Sequence, residues 1–205
     1  FSTFCLLIIL NGSNFIDGLN GLNLGYFLIV LIVLLLSSFL NKFNIDYVSI
    51  IPLIIVISFL LILNYLNYLY IGDSGAYLIA FVIGIYILKT HITNPLTSPY
   101  FFALLLWYPA FENFFSILRK KIRKYKSTLP DTKHLHQLIY RYLIRKEFRY
   151  KKYSNQISSI FINIYNLCIF LFSINFTDNT LYLCILIILN ILIYLFVYFI
   201  LRVKD

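Results

Sequence analysis

Residues 24–40 read LGYFLIVLIVLLLSSFL, an unbroken apolar run without a charge or a proline. A run this long approaches the roughly 20 apolar residues that cross the hydrocarbon core of a bilayer as a helix. Working outward, five further stretches have the same character: residues 48–69, 74–89, 100–118, 156–174 and 181–201, into which only Glu112 and the terminal Lys89 bring a charge. The breaks at 41–46, 72–73, 93–99 and 175–179 are short and rich in Asn, Gly, Asp, Ser and Pro, the residues of turns. The pattern predicts an all-α polytopic membrane protein with about six complete transmembrane helices. Composition agrees: 61% of the 205 residues are hydrophobic and 12% charged, against about a quarter charged in soluble domains, which excludes a soluble globular protein.

Residues 1–10 are too few to span, and they lack the basic flank and cleavage site of a signal peptide. With no methionine in the chain, they read as the end of a truncated helix, and the sequence as the C-terminal portion of a longer protein. Cys5, Cys168 and Cys184 stand singly in apolar runs. That spacing indicates neither a disulfide framework nor a zinc site, and the three read as buried small hydrophobes.

The formal net charge of +9 is local, because 13 of the 17 Lys and Arg residues fall between Arg119 and Lys152. Basic residues resist translocation, so this segment is expected on the cytoplasmic side. Alternating from it puts 11–23, 72–73 and the C-terminal Arg202 and Lys204 on the same side, with Lys42 and Lys89 opposite. The reading is one transmembrane domain over 1–205, with 119–155 a basic cytoplasmic loop inside it.

Three polar clusters share that face. The first, Asn11-Gly-Ser-Asn14-Phe-Ile-Asp17-Gly-Leu-Asn20-Gly-Leu-Asn23, carries a carboxamide or carboxylate every third residue, along one side of a helical turn. Gly12, Gly18 and Gly21 argue against a long regular helix, so a broken helix end lining a cavity is expected, with an ordinary Asn/Gly turn as the plain alternative. The second is Ile71-Gly-Asp73-Ser-Gly-Ala76, where Asp73 is either a helix N-cap or a carboxylate suited to Mg²⁺, which takes one or two carboxylates plus substrate phosphates. Gly-Asp-Ser-Gly also occurs in trypsin-like proteases, but Ser74 opens a membrane helix and that reading fails. The third is Pro130-Asp131-Thr-Lys133-His134-Leu-His136-Gln137. Its histidines, two residues apart, converge on one ligand only from a loop or a helix start that Asp131 could cap; with Lys133 they offer donors to a diphosphate. The plain alternative is a solvated basic loop on anionic headgroups. Glu112, the one carboxylate inside a span, is either functional or paired with a loop cation.

In this order the clusters resemble the polyprenyl-phosphate N-acetylhexosamine-1-phosphate transferases of glycosyltransferase family 4, which include MraY-like and WecA-like enzymes. The family signatures N-x-x-N-x-x-D-G-[ILV]-[DN]-G-L, G-D-x-G-[SA] and P-D-x-x-H-x-H stand here at 11–22, 72–76 and 130–136, and Pro109 to Glu112 is similar to a P-x-x-[DE] element. Asn20, where other members have Asp, fits the WecA-like branch, and Gln137 stands where a third histidine is common. The resemblance implies transfer of a sugar 1-phosphate from a UDP-N-acetylhexosamine to undecaprenyl phosphate. UMP is released in the first membrane step of surface glycan assembly, whether O-antigen, capsule or cell wall. It implies Mg²⁺ (or Mn²⁺) at Asp73 and Asn14, with Asn14 also by the diphosphate and Asn20 by the uracil. Asp17, Asp73, His134 and His136 are the catalytic candidates, the histidines by the phosphates; Asn14, Asn20 and Lys133 bind substrate. Partners are the UDP-sugar, the polyprenyl phosphate, membrane lipids and a second copy of the chain, not nucleic acid, in a bacterial inner membrane with the active site cytoplasmic.

Competing readings are weaker. The Asp-Gly motif of CDP-alcohol phosphotransferases needs two further carboxylates where this chain has Asn20 and Asn23. A transporter calls for polar groups at the midplane and an internal repeat, neither of which is visible. An inactive truncated relative is the third alternative. The family also carries an Asp-Asp pair in an earlier loop, absent from these 205 residues. The chain alone is therefore expected to be inactive, and Mg²⁺-dependent UMP release by it would contradict that expectation.

Overall fold

The computed structural model describes residues 2–122, 133–145 and 153–203. The described residues form helices α1 (Ser2–Ile16), α2 (Leu22–Phe39), α3 (Tyr47–Tyr65), α4 (Gly72–Thr93), α5 (Pro99–Leu105), α6 (Trp107–Ile122), α7 (Leu135–Arg145), α8 (Ser154–Ser173) and α9 (Thr180–Val203), with a 3₁₀ turn at Ile174–Phe176. The chain is 84% helical without strands among the described residues. It is an all-α polytopic membrane protein: α2, α3, α4, α8 and α9 are long and apolar enough to cross a membrane, and α5 with α6 makes a sixth, bent span.

Burial ranks the spans. Helix α2 is 67% buried and forms the centre, whereas α3 is 17% and α9 22% buried, so their apolar faces form the perimeter. Helices α3 and α8 flank α2, and α1 lies between α4 and α6. The α1–α6 approach is close because residue 12 is glycine: a Cβ there would fall 2.1 Å from the Pro109 carbonyl oxygen. Small residues permit such backbone contact in membranes, where dispersion and hydrogen bonds replace the hydrophobic effect between helices. Gly12 thus sits inside a regular helix, contrary to its reading as a breaker. None of the cysteines is buried: Cys5 and Cys184 are half-buried and Cys168 exposed.

Two spans end earlier than their apolar runs suggest. Asn41 and Asn67 take left-handed φ of 55° and 61°. Behind them, the amides of Lys42 and Tyr68 donate to the carbonyls of Ser37 and Leu63, and those of Asn41 and Asn67 to Ser38 and Asn64. These are Schellman closures, and the second stops α3 at Tyr65 rather than 69.

The stretch expected to be one helix over 100–118 is broken at Leu106, with a 71° bend between α5 and α6. The cause is Pro109, which has no N–H for the carbonyl of Leu105, four residues back. That carbonyl accepts instead from the Tyr26 hydroxyl of α2 at 2.9 Å, and Trp107 Nε1 donates to Asn166 Oδ1 of α8 at 2.9 Å. A broken helix survives in a bilayer only where neighbours satisfy the freed groups. Replacing Tyr26 by Phe should therefore cost about 1–3 kcal/mol, the penalty of a buried carbonyl left unpaired. The test is reversible unfolding in detergent, and an unchanged midpoint would show that the bend does not need this hydroxyl.

Candidate active site

The first cluster folds as a helix end plus a pinned linker. Helix α1 stops at Ile16, and Gly21 takes φ 78° before α2 begins. A Cβ on Gly21 would also run into the Tyr65 ring at 2.3 Å. The peptide groups freed by the break go to side chains of α3 and of the α8 end of the bundle. Asn20 N–H donates to Asn155 Oδ1 (2.8 Å) and Gly21 N–H to Asn64 Oδ1, while the carbonyls of Asn20 and Gly21 accept from Ser159 Oγ (2.6 Å) and Asn163 Nδ2 (2.9 Å). The Asn20 side chain itself donates to Asn67 Oδ1 at 2.6 Å. Asn20 is therefore a buried member of this knot and does not line the cavity described next.

A cavity of about 190 Å³ is lined by Asn14, Phe15, Asp17, Gly18, Asp73, His134 and Gln137. It draws on all three polar clusters, brought together from the end of α1, the start of α4 and the start of α7. Asn14 Nδ2 donates to the Tyr77 hydroxyl at 3.1 Å, and Ser13 Oγ to the Ala76 carbonyl at 2.9 Å, so polar contacts tie α1 to α4 beside it. Asp73 is not the N-cap of α4: Ile71 holds that position, and Asp73 lies exposed in the first turn, after Gly72 at φ 64°. Its carboxylate is free of a capping duty and complements the helix dipole. Burial, with the charge of Asp73 adding to it, raises the Asp17 carboxyl to about 7.

His134 sits immediately before α7, where its carbonyl accepts the Leu138 amide and its own N–H donates to Gln137 Oε1 at 3.3 Å, half of a capping box. The proposed cap Asp131 lies outside the described residues. Glu112 of α6 is fully buried. Its Oε2 lies 2.8 Å from His134 Nδ1, and its Oε1 accepts the Leu135 amide at 3.1 Å. Its partner is thus this histidine rather than a loop cation such as Arg119, whose guanidinium lies over the Phe115 and Tyr198 rings. That link escaped the sequence reading. The available signal was a lone intramembrane carboxylate three residues after the proline that breaks its helix.

His134 and His136 stack with ring centroids 5.6 Å apart and planes 11° from parallel. Only His134 reaches the cavity. His136 is buried behind it, its two ring nitrogens without a hydrogen-bond partner among the described residues, and a Cβ on Gly18 would come within 2.7 Å of its Nε2. Lys133 is half-buried and outside the cavity lining. No group of three or more His, Cys, Asp or Glu among the described residues could hold a metal alone. The donors present, two carboxylates and a carboxamide on one cavity, suit a hard cation that retains water and substrate oxygens, as Mg²⁺ does.

Burial holds the His136 imidazole down at about 4. Because its folded value lies below the unfolded 6.5, its contribution to stability is complete above pH 6.5 and is lost as pH falls towards 4. The size is on the order of 3 kcal/mol. In detergent the unfolding midpoint should drop over that window, and His136→Leu should flatten the drop; an identical profile in the variant would remove His136 as its source.

Comparison with known proteins locates the first two clusters in a family. Residues 1–91, which run from α1 to nearly the end of α4, match the model for glycosyl transferase family 4. No curated protein and no solved structure matches the chain. The match covers the two motifs that supply Asn14, Asp17 and Asp73, and the cavity joins them to the histidine motif beyond it. Over residues 1–91 the chain is similar to glycosyl transferase family 4, the family of MraY-like and WecA-like enzymes.

Proposed function

We propose that the protein transfers a sugar 1-phosphate from a UDP-N-acetylhexosamine to undecaprenyl phosphate, releasing UMP, at the cytoplasmic face of a bacterial inner membrane. The family supports a polyprenyl-phosphate sugar-phosphate transferase in general, with a nucleotide-sugar donor and a lipid-phosphate acceptor. The observation that carries the finer reading is the cavity, in which Asn14, Asp17, Asp73 and His134 from three separate segments converge at one end of the bundle. An amphiphilic acceptor needs a site at a membrane boundary. The 13 basic residues between Arg119 and Lys152 favour the cytoplasmic side for that end.

Phosphoryl transfer requires mainly positioning and charge neutralisation. In this reading Asp73 and Asn14 hold Mg²⁺, which when bound neutralises charge on the diphosphate. Asp17 lies beside the reacting phosphates, and His134 presents its second ring nitrogen to them. Lys133 and the neighbouring cations draw the polyanion in. His136 acts behind His134, fixing its ring by stacking. Asn20 supports the site by holding the α1–α2 linker, a role that leaves the uracil to other groups. The WecA-like branch and a homodimer remain part of the proposal.

The test is UMP release in membranes carrying the complete reading frame, with undecaprenyl phosphate, Mg²⁺ and a panel of UDP-N-acetylhexosamines. Release that needs both lipid phosphate and metal, from one donor above the rest, is the expected result. Asp73→Asn should abolish it and weaken the Mg²⁺ dependence, and His134→Ala should lower it at least 100-fold with the helices intact. No release from any donor by inserted, folded protein would move the reading to a carrier or an inactive relative.

A further inference from the structure

Glu112 lies outside the cavity and outside the three clusters, yet it is the residue that decides what His134 offers to a ligand. It is buried on α6, the helix whose broken start aims it at the start of α7. Both of its oxygens are engaged: Oε1 by the Leu135 amide at 3.1 Å, Oε2 by His134 Nδ1 at 2.8 Å. A backbone amide can only donate. A carboxylate can only accept, so the second oxygen requires a hydrogen on Nδ1. That leaves His134 Nε2, on the far edge of the ring, as the nitrogen able to take or give a proton to a ligand in the cavity that His134 lines.

We propose that Glu112 is the positioning residue of this site, fixing His134 in the Nδ1–H form with Nε2 turned to the ligand, and locking the first turn of α7 in the same act. The ring is further constrained by Phe15, whose centroid lies 5.2 Å away, and by the stacked His136. Asp17 and Asp73 face it across the cavity, and Tyr108 and Tyr194 lie close enough to Glu112 to feel its charge. None of these groups is shown contacting Nδ1, so the tautomer rests on Glu112. The catalytic importance of that tautomer rests on the transferase reading above; the tautomer itself does not.

Glu112→Gln separates positioning from mere packing. The amide keeps the shape but has one acceptor, which the Leu135 N–H must take. Its NH₂ then faces Nδ1, which has to accept, and the hydrogen moves to Nε2. The chain holds only three histidines, His91, His134 and His136, so ¹⁵N-histidine spectra of detergent-solubilised protein above pH 8 can be assigned by single His→Asn variants. The expected spectrum shows His134 with a protonated Nδ1 and bare Nε2 in the native chain, inverted in E112Q. UMP release by the complete reading frame should fall at least 100-fold in E112Q, in kcat rather than KM, as expected for a wrongly set tautomer. A native spectrum with the hydrogen on Nε2 overturns the proposal even if the variant does not fold, and so does an unchanged tautomer in folded E112Q. Correct tautomers without UMP release from the complete reading frame would instead sink the transferase reading and leave the positioning role standing.

Discussion

A peptide group left unpaired in hydrocarbon costs several kcal/mol, and this chain interrupts its helices twice within the bundle. At each interruption, side chains from other helices take up peptide groups that the break frees. Asn64, Asn155, Ser159 and Asn163 take up the peptide groups of Asn20 and Gly21, and Tyr26 takes the Leu105 carbonyl that Pro109 leaves open. The two repairs have a common result. The first ends α1 so that Asn14 and Asp17 open on a cavity, and the second tilts α6 so that Glu112 meets α7. The geometry of the cavity follows from the way the bundle satisfies these freed backbone groups.

The electrostatics of the cavity follow from the same arrangement. Asp17 is partly withdrawn from water, and the nearby charge of Asp73 further disfavours its ionisation. A site that gathers two acids in this way is unfavourable until something positive, or a proton, is shared between them. Behind it, the buried Glu112 finds both of its partners within α7 and the residue before it, which satisfies the rule that a buried charge must be paired and hydrogen-bonded.

The six spans and the grouping of the polar clusters were legible in the sequence, because apolar length and alternation are one-dimensional signals. The similarity to glycosyl transferase family 4 over residues 1–91 was legible for a related reason, since the motifs there are contiguous. The internal break at Leu106 was harder to see. Pro109 is tolerated in many membrane helices, and what makes it a break here is a hydroxyl on α2, some 80 positions away. Asn20 shows another limit: its motif position suggests a place by the uracil, and nothing in the sequence indicates that its Nδ2 meets Asn67, a residue that looks like ordinary turn material. Glu112 was visible as an anomaly but its partner was not, because His134 lies 22 positions further along the chain and the many basic residues between them offered nearer cations. The Gly12 backbone contact and the Gly18 cradle for His136 also depend on which helices meet, which spacing along the chain does not encode.

The walls of the cavity differ in how tightly they are packed. On one side the α1 segment is wedged, since nothing larger than a hydrogen fits between Gly12 and the Pro109 backbone or between Gly18 and the His136 ring. On the other, Asp73 is carried on an exposed first turn entered through Gly72, around which no atom lies within 4 Å of where a side chain would begin. The cavity thus has a tightly packed wall on the α1 side and a solvent-exposed rim at the start of α4. A side chain at position 12 or 18 would have to displace the Pro109 backbone or the His136 ring, and would disturb the wall that carries Asn14 and Asp17.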